Sequence, residues 1–196
     1  MLSTDTFFAD VERIIAGYHD ADAACLQVMV DDLERIAQRL PRKADRCYAY
    51  EARLFVRMRA FEQAMAAVER ALILAPLDKD LLVLSGDIHR QAQDYPQAVQ
   101  DYSTVVDANP EAVTARMRLA EVHQVSGDCA AALREITEGL KHEPRSLRLL
   151  YRRALILLDL RRAGEATADL RTVARLSADE TLRRKAEQRL RELGLR

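Results

Sequence analysis

Pro76, Pro110 and Pro144 stand 34 residues apart. A fixed period of this length constrains the chain more than its composition does. It is the size of one helix–turn–helix unit, and such units complete their core only by stacking on neighbours. Where two helices of a unit approach closely, small side chains are needed at the crossing. At this spacing the first helix of successive repeats carries Ala52, Gly86, Ala120 and Ala154. The second carries Ala64, Ala98, Ala132 and Ala166. Larger apolar residues fall between them at the same period: Leu54, Ile88, Val122 and Ile156 in one row, Val68, Tyr102, Ile136 and Leu170 in another.

Nothing competes with a helical reading. No alternating β-branched run and no Asn-Gly or Asp-Gly hairpin signal occurs. With 49% hydrophobic residues and few glycines and prolines, the chain has enough apolar surface to order throughout. The expectation is an all-α fold, an α-solenoid of antiparallel helix pairs.

The pattern resembles the tetratricopeptide repeat family, whose signature is a large residue, Leu-Gly, Tyr, Ala, an aromatic and Pro. The second copy carries Leu82, Gly86, His89, Ala98, Tyr102 and Pro110, with Ser85 in the Leu position. The first carries Tyr48, Ala52, Phe55, Ala64 and Pro76, with Glu51 in that position. The third carries Leu119, Ala120, His123, Ala132, Ile136 and Pro144, with Arg116 in the large-residue place. The fourth carries Leu150, Ala154, Leu157, Ala166 and Leu170, and Ala178 replaces its proline. The resemblance implies a right-handed superhelix with repeats at 45–78, 79–112, 113–146 and 147–180.

Two flanking segments complete the chain. Residues 1–44 have the size of a repeat without its signature, and are expected to cap the stack or to dimerise. A helix over 4–18 would place Phe7, Phe8, Val11, Ile14, Ile15 and Tyr18 on one face, and a second over about 21–40 would stop at Pro41. Phe7 and Phe8 are the candidates for self-association. Residues 181–196 read as a solvating helix, beginning near Asp179, with Leu182, Ala186, Leu190 and Leu193 as its single apolar stripe.

Net charge is −1, which gives no bulk attraction to nucleic acid or membrane. Residues 145–196 nevertheless hold 14 basic against 7 acidic side chains. That end suits an acidic partner, or the acidic end of another copy. Three separate cysteines with no CxxC argue against a disulfide framework. Acidic residues in the N-terminal stretch argue against a signal peptide. A cytoplasmic location is expected, and the Arg- and Ala-rich composition suggests a bacterial source.

No GxSxG, HExxH, P-loop or GxGxxG occurs, so no enzyme activity, cofactor or metal is expected. His89 and His123 occupy one repeat position and read as packing residues. Function then falls to the concave groove, which the resemblance places on the first helix of each repeat. Its expected lining is Arg46, Arg53 and Arg57; Val83, Asp87 and Arg90; Met117, Arg118 and Glu121; and Arg148, Tyr151, Arg152 and Leu155. Apolar anchors beside guanidinium forks suit a peptide or helix that carries carboxylates. The leading reading is a protein–protein interaction adaptor, the alternatives a self-assembling scaffold or a secretion-type chaperone. The Lys, Asn, Asn, Lys, Arg set by which family co-chaperones grip a C-terminal carboxylate is not reproduced.

Overall fold

The computed structural model describes residues 4–17 and 21–194. Among them every regular element is helical. In order these are α1 (Thr4–Ile15), α2 (Ala23–Arg39), α3 (Ala44–Arg57), α4 (Phe61–Leu74), α5 (Lys79–Gln91), α6 (Tyr95–Ala108), α7 (Val113–Val125), α8 (Cys129–His142), α9 (Leu147–Asp159), α10 (Ala163–Leu176) and α11 (Glu180–Glu192), with a 3-10 turn at Pro41–Lys43 before α3. The all-α expectation is met. The chain falls into two compact units, 1–101 and 102–196, divided inside α6.

Within each unit, close helix approach at small residues organises the packing. In the first unit Ala52 and Ala64 are fully buried and share a cluster with Ala67, Val68, Leu84 and Ile88. A second cluster joins Phe8 and Val11 of α1, Leu26 and Leu33 of α2, and Cys47, Tyr50 and Leu54 of α3. Phe8, expected as a self-association residue, is therefore core, because its ring stacks on Tyr50 at 5.4 Å. In the second unit Ala120 and Ala132 pack with Ile136, Leu149 and Ile156. Ala154 and Ala166 pack with Leu170, Val173, Ala186 and Leu190, which seats α11 on α9 and α10. Each fully buried Leu or Ile contributes on the order of 1.5–3 kcal/mol.

The turns inside the hairpins repeat as strictly as the alanines. Arg59, Gln93, Gly127 and Arg161 all have positive φ, at 58°, 65°, 87° and 58°. After each, an amide reaches back to close the last helical turn: Ala60 to the Phe55 carbonyl, Asp94 to His89, Asp128 to His123 and Arg162 to Leu157, at 2.8–2.9 Å. This is the Schellman closure that glycine normally makes easy. Only the third hairpin has glycine there; the other three hold an L side chain in the left-handed region, at a cost of about 1 kcal/mol each.

Some boundaries differ from the sequence expectation. The fourth turn, expected around Arg162–Gly164, centres on Arg161, and Gly164 lies within α10. Pro96, expected in a turn, lies in the first turn of α6, where its fixed φ suits a helix. α1 ends at Ile15 and Gly17 turns with φ 82°; Tyr18 lies outside the described residues. α2 begins at Ala23 because the Asp22 carboxylate accepts from the Cys25 amide at 2.8 Å.

Each hairpin also carries its own polar cross-pair. His89 Nδ1 meets Asp101 at 2.8 Å. Arg116 donates to Glu135 at 2.8 Å. Arg153 grips Asp169 with two bonds of 2.7 and 2.8 Å. The acids at 101, 135 and 169 occupy one repeat position on the second helix. In the first repeat that position is Ala67, and the acid, Glu51, sits on the first helix instead.

Glu51 is 1% exposed. Arg70, stacked on Tyr48 at 3.9 Å, lies 3.4 Å from its Oε2 and is shared with Glu34. Oε1 has no hydrogen-bond partner. Burial pushes the carboxyl up to about 7, Arg70 opposing and Glu34 assisting. The folded state thus holds this proton more tightly than the unfolded chain. Its stabilising effect is complete below the ordinary carboxylate range and is lost as pH rises through about 7.

Two outcomes follow. Gln93→Gly or Arg161→Gly raises stability by about 0.5–1 kcal/mol in urea titrations, whereas Gly127→Ala lowers it by about 1 kcal/mol. Between pH 5 and pH 8 the native chain loses about 1–3 kcal/mol through Glu51, and Glu51→Gln flattens that decline; equal slopes for both proteins would contradict the assignment.

Candidate functional site

The inner helices of the first unit place the expected groove arginines against α1. The Arg46 guanidinium sits 4.6 Å over the Phe8 ring and donates to the Tyr50 hydroxyl at 3.1 Å and to Glu12 at 3.5 Å. The Tyr50 hydroxyl donates to Glu12 as well, and Arg57 donates to the Ile14 carbonyl. Burial first, and the bond to Glu12 second, raise the Tyr50 hydroxyl above its ordinary range. Arg46 and Arg57 therefore act here as staples that hold α1. Arg53 lies 5.9 Å from the Tyr50 ring centre and lines a small cleft of 280 Å³ with Ala49, Asp45, Asp78 and Asp80. Asp87 pairs with Arg90 at 3.6 Å, and Val83 is half-buried on the same helix.

The second unit brings more of the expected residues together around open space. Met117 from α7 and Arg148, Tyr151, Arg152 and Leu155 from α9 line one cavity of 530 Å³, a volume suited to a small ligand or a few residues of peptide. Arg118 and Glu121 stand beside it as support. Glu121 pairs with Arg118 at 3.5 Å and accepts from Arg152, fixing that guanidinium at the rim. Gln124 donates to Asp159, a further tie between α7 and α9.

The cavity has a wall that sequence reasoning left out. Thr181, Leu182, Lys185, Gln188 and Arg189 of α11 line it opposite α9. Leu182 adds to an apolar floor with Met117, Tyr151 and Leu155; Arg148, Arg152, Lys185 and Arg189 form a cationic rim. Arg189 is held by Glu192 at 2.8 Å, and its positive charge is strengthened by that bond first and by Tyr151 after it. The one acid in the lining, Asp179, accepts from the Thr181 and Leu182 amides at 2.9 and 3.1 Å, which commits it to capping α11. A signal for this wall was present in the sequence. Lys185 and Arg189 are one turn apart, and no acid lies three or four residues from Lys185.

The arrangement offers recognition chemistry. Charged donors surround an apolar floor, and no nucleophile–base pair lies among them. Among the described residues no three His, Cys, Asp or Glu side chains converge as a metal site, and no helix is long and apolar enough to cross a membrane.

A tetratricopeptide repeat model matches residues 51–113, 83–128 and 118–181, together two thirds of the chain. Solved structures share the fold. MamA MSR-1 is 18% identical over 94% of this chain and 97% of its own, with a TM-score of 0.63. YrrB, a TPR protein with an unusual peptide-binding site, is 16% identical over 83% and 84%, with a TM-score of 0.66. Another MamA structure is 12% identical over 100% and 98%, with a TM-score of 0.67. Identities this low establish the fold alone. The search of curated proteins found no sequence match.

Proposed function

The chain belongs to the tetratricopeptide repeat family, and from that premise we propose that it is a non-catalytic adaptor holding a segment of another protein in the cavity of its second unit. The fold class is that of protein–protein interaction modules. The observation that carries the finer reading is Leu155. It lines the cavity while the apolar residues around it, Tyr151, Leu158 and Leu182, pack against the α9–α11 core. Leu155 is only half-buried, and an apolar side chain so placed among arginines is an anchor for a ligand side chain. Arg148, exposed at the cavity, supplies charge-assisted bonds to its carboxylates, while Arg152 is held beside it by Glu121. The peptide-binding site of YrrB is a precedent on the same fold at low identity. A cytoplasmic setting in a bacterium is part of the proposal.

Random peptides displayed on phage and selected on the full chain test this reading. Selected peptides are expected to weaken by about tenfold or more on Leu155→Asp, with the helical circular dichroism unchanged. Equal binding to the variant would remove the cavity as the site.

A further inference from the structure

We infer that α11 is a recognition wall as well as a cap, and that the cavity takes a segment with an apolar side chain flanked by two carboxylates. One carboxylate meets Arg148 on α9 and the other Lys185 on α11. This rests on the second-unit cavity being a ligand site.

The pattern of ion pairs on α11 carries the inference. A helix that only solvates the end of a stack neutralises its charges along its own surface. Most of α11 does so: Arg183 pairs with Glu187 at 3.9 Å, Arg189 with Glu192 at 2.8 Å, and Arg184 with Glu180. Arg191, outside the cavity lining, donates to the Glu187 carbonyl at 3.4 Å instead. Lys185 departs from this. Its neighbours one turn away are Thr181, Leu182, Gln188 and Arg189, none of them acidic. Lys185 lines the cavity, is exposed, and has no ion pair among the described residues. Arg148 repeats the case across the cavity. Its one-turn neighbours are Pro144, Arg145, Tyr151 and Arg152, and it too is exposed without an ion pair among the described residues.

Two uncompensated cations thus face one apolar floor from different helices. Asp179, the lining acid, is already bonded to two backbone amides. Positive potential at such a mouth attracts acidic partners and raises their capture rate at low salt. An apolar residue between the carboxylates fills the floor of Met117, Leu155 and Leu182. A strongly acidic segment without that residue lacks the anchor, and an apolar one without acids leaves both cations unmatched.

The test uses the full chain and a fluorescein-labelled Gly-Asp-Glu-Leu-Phe-Asp-Glu-Gly peptide, read by fluorescence anisotropy at low and moderate salt. Controls replace its acids by Asn and Gln, or its Leu-Phe pair by Ser-Ser. The acidic apolar peptide is expected to bind, both controls to bind at least about tenfold more weakly, and salt to weaken binding. Arg148→Gln and Lys185→Gln should each reduce affinity about threefold to tenfold. Arg171→Gln, on the exposed side of α10, should leave it unchanged. Loss with Arg148→Gln but none with Lys185→Gln returns α11 to a capping role and overturns the inference, leaving the adaptor reading in place. Phage-selected ligands that lack acids and ignore Lys185→Gln do the same. Self-association in sedimentation that Arg148→Gln abolishes would assign the cavity to a second copy, and overturns the partner-segment inference. Failure of the Leu155→Asp test removes the site itself and the inference with it.

Discussion

The structure depends on helices coming close enough that only alanine or glycine fits between them. Ala52, Ala64, Ala120, Ala132, Ala154 and Ala166 are each fully buried at such crossings. A bulkier side chain at any of them would push the axes apart and open the larger apolar rows beside it. The close crossing therefore decides whether Val68, Ile136 and Leu170 reach the core. It also explains why the chain tolerates strain in its turns. Arg59, Gln93 and Arg161 hold left-handed backbone at the turns that join the closely packed helices.

Burial of apolar rows is the same in every repeat and would not by itself distinguish one repeat from another. The polar cross-pairs do. Asp101, Glu135 and Asp169 share a position, yet their partners are His89, Arg116 and Arg153, reached from three different places on the opposing helix. In the first repeat the polarity is reversed through Glu51 and Arg70. Pairing a helix with the wrong neighbour would strand a partly buried charge, which is costly.

The same accounting of charge supports the proposed site. A cation held by a partner within the fold has less of its charge to offer a ligand than one that is not. In the first unit Arg46 and Arg57 bind α1. In the second, Glu121 fixes Arg152, while Arg148 and Lys185 have no ion pair among the described residues and stand beside an apolar floor. That difference, between residues that look alike in the sequence, supports the ligand chemistry proposed for the cavity.

The sequence alone determined the helical class, the 34-residue period and the residues at the close crossings, because these depend on spacing along one helix and on side-chain size. It also supplied most of one cavity wall, since Met117, Arg148, Tyr151, Arg152 and Leu155 fall at recurring positions on inner helices. Only the tertiary structure decided which arginines are consumed by the fold. The partners of Arg46 and Arg57 come from a helix more than thirty residues away, and no local pattern reveals them. It likewise decided that α11 lines the cavity. An apolar stripe fixes which face of a helix is buried, whereas the residues its remaining faces look toward depend on where the neighbouring helices lie.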